Sequence, residues 1–373
     1  MRFIHTGDWH IGKTVNDFSM LEDQRHILKQ IYDIAIRERV DAVVVAGDIY
    51  DRAIPPAEAV LVLNDFLTEM ERARIPVLMI SGNHDSPERV GFAAEILENR
   101  HVYIAGIYQG RLKRVCLEDD YGEVAFVLLP FVKPAVAGAG TNGEAVEKML
   151  REEKLMGGRK ILVTHYFVTD AGKEPELSEG ETTVHVGGLD NVEASLFSGF
   201  DYVALGHIHK PQKIGQGQNY YAGAPLAYSF SEAGQEKSVN LVELGEEGRL
   251  SVQRLPLSPL HGMRRIRGRL EELMAPEVAE AADCRDYIRA ELTNEEELIN
   301  PIGTLRTVYP NIMQVVLIKN EKRENPAYTS RLEERRKDIP HLFKEFYEMI
   351  RGEEPDAQRM EIIWEAARAA QEK

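Results

Sequence analysis

The segment Phe3-Ile4-His5-Thr6-Gly7-Asp8-Trp9-His10 joins an apolar strand directly to two side chains that can bind metal ions. Four more apolar runs end in the same way: 43–46 in Gly47-Asp48, 77–81 in Gly82-Asn83-His84-Asp85, 161–164 in His165, and 203–205 in Gly206-His207-Ile208-His209. Ligands of open α/β sheets bind beyond the carboxyl ends of the strands. We therefore expect these five segments to converge on one crevice. Gly7, Gly47, Gly82 and Gly206 are expected to allow close approach of backbone and substrate there.

Short apolar runs alternate with amphipathic segments through the first two-thirds of the chain, a pattern typical of an α/β fold built in layers. The predicted strands are 3–6, 42–46, 77–81, 124–129, 161–164 and 202–205. Apolar residues at helical spacing predict a helix through 27–35 and another through 60–70, after the start signal Pro55-Pro56. Ser86 is a predicted N-cap with Pro87 at the first helical position, and that helix is expected to run into 92–97.

The composition is that of a globular protein, with 43% hydrophobic and 28% charged residues among 373, which excludes disordered and fibrous classes. Because the formal net charge is −16, any phosphate contact must be local, metal-assisted or provided by a partner. No apolar run approaches the about 18 residues of a membrane span, so we expect a cytoplasmic protein without membrane contact. Cys116 and Cys284 lack disulfide or zinc-site spacing and are expected to be buried thiols.

The texture of the sequence predicts three parts: a core at 1–255, a smaller part at 256–320 and a helical tail at 321–373. Pro256 and Pro259 flank the predicted linker. The smaller part is expected to contain an acidic helix near 271–280 and strands at 286–292 and 312–318. In the tail, a hydrophobic stripe at helical spacing comprises Leu342, Phe343, Phe346, Tyr347 and Ile350.

The strand ends carry a mixed set of oxygen and imidazole donors without a thiolate: Asp8, His10, Asp48, Asn83, His165, His207 and His209. Such a set suits manganese, iron or zinc better than magnesium or calcium. Seven donors exceed the need of one tetrahedral ion, whereas a carboxylate that bridges two ions about 3.5–4 Å apart would share them. Two-metal sites of this kind serve in-line displacement at phosphorus. Each fragment alone has an ordinary explanation, such as a Gly-Asp turn, but all five together favour a metallophosphoesterase.

These motifs resemble the signature of the calcineurin-like metallophosphoesterases over most of residues 1–255. More narrowly, the segments 1–12, 47–56 and 82–86 resemble the SbcD family, the nuclease subunits of bacterial SbcC–SbcD complexes, which are relatives of the archaeal and eukaryotic double-strand-break repair nuclease. The resemblance implies a layered α/β metallophosphoesterase core, a small α+β capping domain that directs DNA, and a helical C-terminal tail that binds the partner.

The resemblance also implies a role for each residue of the site. Asp8, His10, Asp48 and His209 would hold one Mn²⁺, and Asp48, Asn83, His165 and His207 a second, with Asp48 bridging. His84 would steady the scissile phosphate or protonate the leaving 3′ oxygen, a role that suits imidazole near neutral pH. Asp85 would orient His84. Asp51 occupies the place of a further histidine in archaeal and eukaryotic relatives, and an anionic carboxylate cannot replace that imidazole on phosphate.

The function implied is that of a DNA nuclease subunit, a 3′ to 5′ exonuclease on duplex ends and an endonuclease on single strands and hairpins, in DNA repair and recombination. The implied partners are DNA, the SbcC ATPase and a second copy of the chain. The tail stripe would dock on SbcC, although packing on its own domain is the alternative. The basic cluster of Arg264, Arg265, Arg267 and Arg269 is expected either to contact the DNA backbone or to form a solvated strand edge.

Two other functions remain open at this point. The first is a stand-alone phosphoesterase that acts on a small phosphate ester, since one such core supports many substrates. A small-molecule phosphatase has little need of about a hundred further residues with a basic cluster and an apolar helix. The second is a scaffold that keeps the fold without catalysis, against which the complete donor set and His84 argue.

Overall fold

The computed structural model describes residues 1–154, 157–178 and 191–318, together with 344, 347, 354–356, 359–362 and 364. The chain divides into two units, Met1–Leu317 and Ile318–Lys373. Most of the predicted tail stripe (Leu342, Phe343, Phe346 and Ile350) lies outside the described residues, so its role stays a prediction. None of the helices in the described part of the chain combines the length and apolarity that crossing a bilayer requires.

Strands and α-helices alternate from β1 to β9, as the sequence pattern predicts, whereas no α-helix is described between β9 and β17. The strands are β1 (Arg2–Thr6), β2 (Thr14–Val15), β3 (Phe18–Ser19), β4 (Ala42–Val45), β5 (Val77–Ile80), β6 (Val102–Ala105), β7 (Lys113–Asp119), β8 (Gly122–Leu129), β9 (Arg159–His165), β10 (Val168–Thr169), β11 (Val192–Glu193), β12 (Tyr202–Gly206), β13 (Gln212–Ile214), β14 (Asn219–Tyr221), β15 (Ser238–Leu244), β16 (Leu250–Pro256), β17 (Met263–Gly268), β18 (Tyr287–Leu292) and β19 (Ile312–Leu317). The α-helices are α1 (Leu21–Glu38), α2 (Ala57–Ala73), α3 (Pro87–Val90), α4 (Ala94–Leu97), α5 (Asn142–Lys154), α6 (Leu270–Leu273), α7 (Pro276–Ala279) and α8 (Pro301–Leu305).

Two six-stranded sheets form the centre of the first unit. The first has the order β16-β15-β1-β4-β5-β6, and the second has the order β13-β14-β12-β9-β8-β7. Their central strands are parallel, β1 to β4 to β5 to β6 in one sheet and β14 to β12 to β9 to β8 in the other. Parallel strands have their carboxyl ends on the same side of a sheet. The five predicted site segments lie at the carboxyl ends of β1, β4 and β5 in the first sheet and of β9 and β12 in the second.

Alternating side chains divide the core into layers. Phe3 of β1 faces the second sheet and meets Phe126 edge to face at 5.5 Å between ring centroids. The next residue, Ile4, packs on the other face with Ile27 of α1 and Phe66 of α2. Helix α5 covers the outer face of the second sheet. The first unit therefore contains helix, sheet, sheet and helix layers, which confirms the predicted α/β fold.

A third sheet, β17-β18-β19, follows the linker and carries α6, α7 and α8 against its own apolar cluster. Its last two strands agree with the prediction to within one residue at each end, but the predicted acidic helix is divided into α6 and α7 at Pro276. The buried carboxylate of Asp23 in α1 accepts hydrogen bonds from His261 N at 2.9 Å and Tyr287 Oη at 2.8 Å. These bonds join the third sheet to the first helix layer.

Two expectations are wrong. Ser86 does cap a helix, but α3 ends at Val90 instead of running into 92–97, and Phe92 and Ile96 are 80% and 71% exposed. The helix stops because Ala93 takes a left-handed φ of 58° and Gly91 packs on Gly106, whose Cβ would lie 2.2 Å from the carbonyl oxygen of Pro87. The sequence predicts that both cysteines are buried, but Cys116 is exposed because it lies at an outward-facing position of β7. Cys284 is half-buried.

The stability of this core is expected to depend on pH through His5. Burial lowers the pKa of His5 from its usual 6.5 to about 3, so between these values only the unfolded chain takes up the proton. Above about pH 6.5 protonation of His5 does not affect the free energy of unfolding. Below it, this free energy falls with the pH, by about 2 kcal/mol at about pH 5. In His5→Leu, urea unfolding followed by circular dichroism should show a pH-dependent loss smaller by this amount. The exposed His101→Asn variant is the control, and an unchanged pH dependence in His5→Leu would contradict the assignment.

Candidate metal centre

The five predicted segments meet where strands of both sheets end. Asp8 follows β1, Asp48 follows β4 and Asn83 follows β5 in the first sheet, while His165 ends β9 and His207 follows β12 in the second. The loops are tied together by backbone hydrogen bonds, including Asp8 N to Gly47 O at 3.0 Å and His10 N to Asp48 O at 2.9 Å. The predicted convergence of these segments on one crevice is therefore present in the structure.

Three glycines make this convergence sterically possible. A Cβ on Gly206 would lie 1.9 Å from Ala46 O, one on Gly47 2.5 Å from His165 Nδ1, and one on Gly82 2.1 Å from Asp48 Oδ1. Gly47 also has a φ of +88°. Gly7 differs from the prediction, since its nearest neighbour would be Ala46 O at 3.4 Å, an ordinary contact. Close packing of the strand ends therefore requires glycine at three of the four predicted positions.

Four of the predicted ligands have strained backbones. Asp8, His10 and Asp48 have φ values of 52°, 45° and 48°, and His207 has a φ of 100°. Residues other than glycine rarely adopt these backbone angles, and each residue that does so costs of the order of 1–3 kcal/mol. Such strain concentrates at functional sites, where the surrounding structure enforces a geometry that local preference opposes.

Asp8, His10 and His209 form the first half of the cluster, and one donor atom from each lies within 4.8 Å of the other two. The two imidazoles face each other, with His10 Nε2 and His209 Nε2 3.2 Å apart. Asp8 Oδ1 accepts from His207 N at 2.9 Å, whereas the buried Asp8 Oδ2 has no hydrogen-bond partner among the described residues. A buried carboxylate oxygen without a hydrogen bond is what a metal ligand shows when its ion is not present.

The second half of the cluster is built on Asn83, His165 and His207. Asn83 Oδ1 lies 3.0 Å from His165 Nε2 and 3.1 Å from His207 Nδ1. His165 Nδ1 lies 2.8 Å from Ala46 O, so in the neutral ring the proton is on Nδ1 and Nε2 can bind a metal ion. The donor atoms of this half therefore also point to one another.

Asp48 lies between the two halves. Its Oδ1 accepts from His84 N at 3.0 Å. Its Oδ2 lies 3.7 Å from His10 Nε2 in the first half and 3.4 Å from His165 Nε2 in the second. One carboxylate oxygen thus faces both groups of donors.

Burial and mutual charge shift the pKa values of these groups strongly. Burial raises the pKa of Asp8 to about 7 and, together with His165, lowers that of His207 to about 3. Burial acts to raise the pKa of Asp48, but His165 and His10 bring it well below its usual value. Burial acts to lower the pKa of His165, whereas Asp48 raises it to about 9. Without metal ions, some of these groups therefore bind protons near neutral pH. Their oxygen and imidazole atoms are donors that fit divalent metal ions.

His84 and Asp85 do not form the predicted pair. The exposed ring of His84 has Nδ1 3.0 Å from the backbone oxygen of Asp51 and Nε2 4.0 Å from Asp48 Oδ2. The carboxylate of Asp85 instead accepts from three backbone amides, those of Ile49, Tyr50 and Gly82, at 2.8–3.1 Å. The expectation that Asp85 orients His84 is therefore wrong, because the backbone amides of two loops occupy its oxygens.

Asp51, which stands where the archaeal and eukaryotic relatives have a further histidine, lies beside His10. Its carboxylate accepts a hydrogen bond from Lys13 Nζ at 2.7 Å and lies 3.8 Å from His10 Nδ1. Asp51 therefore lies behind the ring of His10 and supports His84 through its backbone oxygen.

Sequence reasoning missed two groups that contact the candidate ligands. Gln24 of α1 donates from Nε2 to His10 O at 2.7 Å and accepts from Gly12 N at 2.9 Å, so it holds the first loop. Its position on the apolar stripe with Ile27, Leu28 and Ile31 could have revealed it as a buried polar residue. The second group, the buried pair Glu232 and Lys237, lies against His209, and no local pattern marks it.

Comparisons with known proteins identify the family of the chain. Residues 1–211 match the family described as calcineurin-like phosphoesterase, and residues 259–350 match SbcD_C, described as the type 5 capsule protein repressor C-terminal domain. A relative from Staphylococcus epidermidis, named as the D component of the nuclease SbcCD, is 29% identical over 357 residues, which cover 93% of this chain and 92% of the relative. These matches confirm the predicted resemblance.

Two solved structures are similar over part of the chain. A dimetal phosphatase from Danio rerio is 13% identical and covers 69% of this chain and 99% of its own, with a TM-score of 0.43. The protein TT1561 of Thermus thermophilus is 14% identical and covers 68% of this chain and 98% of its own, with a TM-score of 0.40.

The contrast between Gly206 and Gly7 gives a test of the centre. In Gly206→Ala the new methyl group collides with Ala46 O, so we expect a loss of about 3 kcal/mol in the free energy of unfolding and weakened Mn²⁺ binding. Gly7→Ala has room for its methyl group and should change stability by less than about 1 kcal/mol. Urea unfolding and Mn²⁺ titration calorimetry measure both effects, and similar behaviour of the two variants would show that close approach is not required.

Proposed function

Because this chain belongs to the calcineurin-like phosphoesterase family, we propose that it is a DNA nuclease subunit that hydrolyses backbone phosphodiesters at the candidate metal centre. The observation that carries the hydrolytic part is the position of Asp48 Oδ2 between two groups of donors, as a shared ligand of two ions requires. The similarity to a nuclease subunit along nearly the whole chain supports DNA as the substrate.

Two Mn²⁺ ions are the proposed cofactors. Asp8, His10 and His209 with Asp48 would hold one ion, and Asn83, His165 and His207 with Asp48 the other, in line with the distances within each half. Such ions act as Lewis acids that neutralise charge on the phosphate and lower the pKa of water. The chain's own contribution is to hold the donors in place before the substrate arrives, through strained loops and buried hydrogen bonds.

His84 is the proposed catalytic residue for the leaving group. Its side chain is 42% exposed beside the buried Asp48, so a substrate can reach it. A proton on Nδ1 is donated to Asp51 O, and Nε2 then faces the side of Asp48. In the protonated ring, Nε2 can give its proton to the leaving 3′ oxygen. Asp85 is proposed as a brace for the Gly47-Asp48 and Gly82-Asn83 loops, because it accepts from the backbone amides of both segments.

The proposed action is 3′ to 5′ exonuclease on duplex ends and endonuclease on single strands and hairpins, in complex with an SbcC-type ATPase. The proposed division is a nuclease domain at 1–255, a capping domain at 256–320 and a partner-binding tail at 321–373. The match of residues 259–350 to SbcD_C supports a separate role for the end of the chain. A net charge of −16 is consistent with a partner that supplies most DNA-backbone contacts.

Three of the four arginines of the basic cluster have partners within the chain. Arg264 pairs with Asp286 at 2.6 Å, Arg265 donates to Phe230 O at 2.8 Å, and Arg269 pairs with Glu296 at 2.6 Å. These contacts favour the interpretation of a solvated strand edge for Arg264 and Arg265 of β17, while Arg269 directly precedes α6. Arg267 is exposed on β17.

Cleavage of an end-labelled DNA hairpin tests the proposed function. We expect activity with Mn²⁺ that EDTA removes, and a fall of about 10²–10⁴-fold in His84→Ala from loss of the proton donor. His101→Asn, which changes an exposed histidine outside the cluster, should cleave like the parent. Parallel reactions contain the SbcC-type ATPase with ATP, Mg²⁺ alone, or a small phosphodiester. Intact DNA under all conditions together with hydrolysis of the small ester would instead assign a stand-alone phosphoesterase.

A homodimer is the second part of the proposed assembly. Leu61 of α2 is 56% exposed, and Phe92, between α3 and α4, and Ile96 of α4 are still more exposed. Val62 of α2 and Leu97 of α4 pack against the same apolar cluster, so both helices cover the same face of the first sheet. Exposed apolar side chains on one face favour association with a second copy.

Charge placed on this face should separate the copies. In Ile96→Asp, analytical ultracentrifugation is expected to show a shift from dimer to monomer, because a carboxylate buried in an apolar interface is unfavourable. Ile299→Asp is the matched control, since Ile299 is 91% exposed on another part of the chain. A parent protein that sediments as a monomer, or an Ile96→Asp dimer as stable as the parent, would refute this interface.

A further inference from the structure

A buried ion pair lies behind His209. Glu232, at the end of a 3₁₀ helix spanning Phe230–Glu232, is 1% exposed, and Lys237 is 5% exposed. Lys237 Nζ and Glu232 Oε2 are 2.5 Å apart. Removing two opposite charges from water is costly even when they pair, and apolar residues of similar size are often as stable in such a place. The pair therefore calls for an explanation beyond stability.

The pair contacts residue 209 at two points. Glu232 Oε1 lies 3.5 Å from His209 Nδ1, and Lys237 Nζ donates to His209 O at 3.2 Å. The carboxylate is itself fixed, because Oε1 also accepts from Ser229 Oγ at 3.2 Å and Tyr228 N at 3.3 Å. Both the ring and the backbone of His209 are thus held by groups with little freedom to move.

The two nitrogens of His209 have different surroundings. Nε2 faces His10 Nε2 at 3.2 Å and belongs to the cluster with Asp8, whereas Nδ1 faces Glu232. A carboxylate 3.5 Å from Nδ1 favours the tautomer with the proton on Nδ1, which leaves the lone pair on Nε2 toward the cluster. The edge of the ring also packs on Tyr228, with ring centroids 5.9 Å apart. The arrangement favours one tautomer and restrains the orientation of the ring.

We propose that Glu232, held in place by Lys237, is a positioning residue that orients His209 as a ligand of the first divalent ion. The proposal rests on the two-ion assignment of the proposed function and adds a residue that no motif of the chain contains. His10 has a parallel arrangement, with Asp51 and Lys13 behind its Nδ1, but those side chains are more exposed. Glu232 is the better placed of the two carboxylates because it is closer and more deeply buried.

Three variants test the proposal by Mn²⁺ titration calorimetry and urea unfolding, without DNA. Glu232→Gln keeps the shape of the side chain and removes its charge, and should weaken one of two Mn²⁺ binding steps about 10–100-fold. The other step should stay within about threefold of the parent. Glu236→Gln changes an exposed acid of the same segment and should behave like the parent in both measurements.

The third variant, Glu232→Gln/Lys237→Met, separates positioning from charge neutralisation. Glu232→Gln alone leaves Lys237 buried without its partner, which destabilises the fold, whereas the double variant removes both charges of the pair. We expect the double variant to recover stability but not Mn²⁺ affinity. If it recovers both, Glu232 only neutralises Lys237 and the proposal is wrong. The double variant also decides the question if the single variant does not fold.

The remaining outcomes distinguish this proposal from the proposed function. A parent that binds two Mn²⁺ ions but leaves DNA intact refutes the nuclease and supports the assignment of Glu232 if the variants behave as expected. A parent that binds no Mn²⁺ refutes both. Two normal Mn²⁺ steps in Glu232→Gln, with affinities within about threefold of the parent, refute the positioning role alone.

Discussion

The close backbone approach between the strand ends of the two sheets is the constraint on which the site depends. Gly206, at the end of β12, lies so near the carbonyl of Ala46 that a side chain cannot fit between them. Gly47 and Gly82 make similar contacts with His165 and Asp48. Because the candidate ligands come from five loops on two sheets, a small shift of one sheet against the other would separate the donors.

The rest of the fold stabilises a centre that is locally unfavourable. Four candidate ligands have left-handed backbones, and Asp8 and Asp48 are carboxylates withdrawn from water. Apolar clusters between the sheets and beneath the helices provide the stability that these features remove. The strained residues Asp8, Asp48 and His207 follow strands β1, β4 and β12, whose residues are almost all buried, so well-packed strands hold these strained ends in place.

Buried polar residues connect the ligands to the surrounding layers. Gln24 holds the carbonyl of His10 from α1, and the neighbouring Asp23 holds the third sheet through His261 and Tyr287. Asp85 shows why adjacency in sequence does not establish a contact. It follows His84 directly, yet its carboxylate turns to the backbone amides of two loops.

The sequence by itself determined the layered α/β class, the central strands and the set of polar residues at their ends. These features follow from runs of apolar residues and from the residues directly after them, which are local properties. Only the tertiary structure decided that the helix after Ser86 stops at Val90, since Gly91 packs on Gly106 from a later segment. It also decided that Glu232 meets His209 and that Asp85 does not meet His84. Packing, burial and charge pairing depend on contacts between distant segments, and no local pattern encodes them.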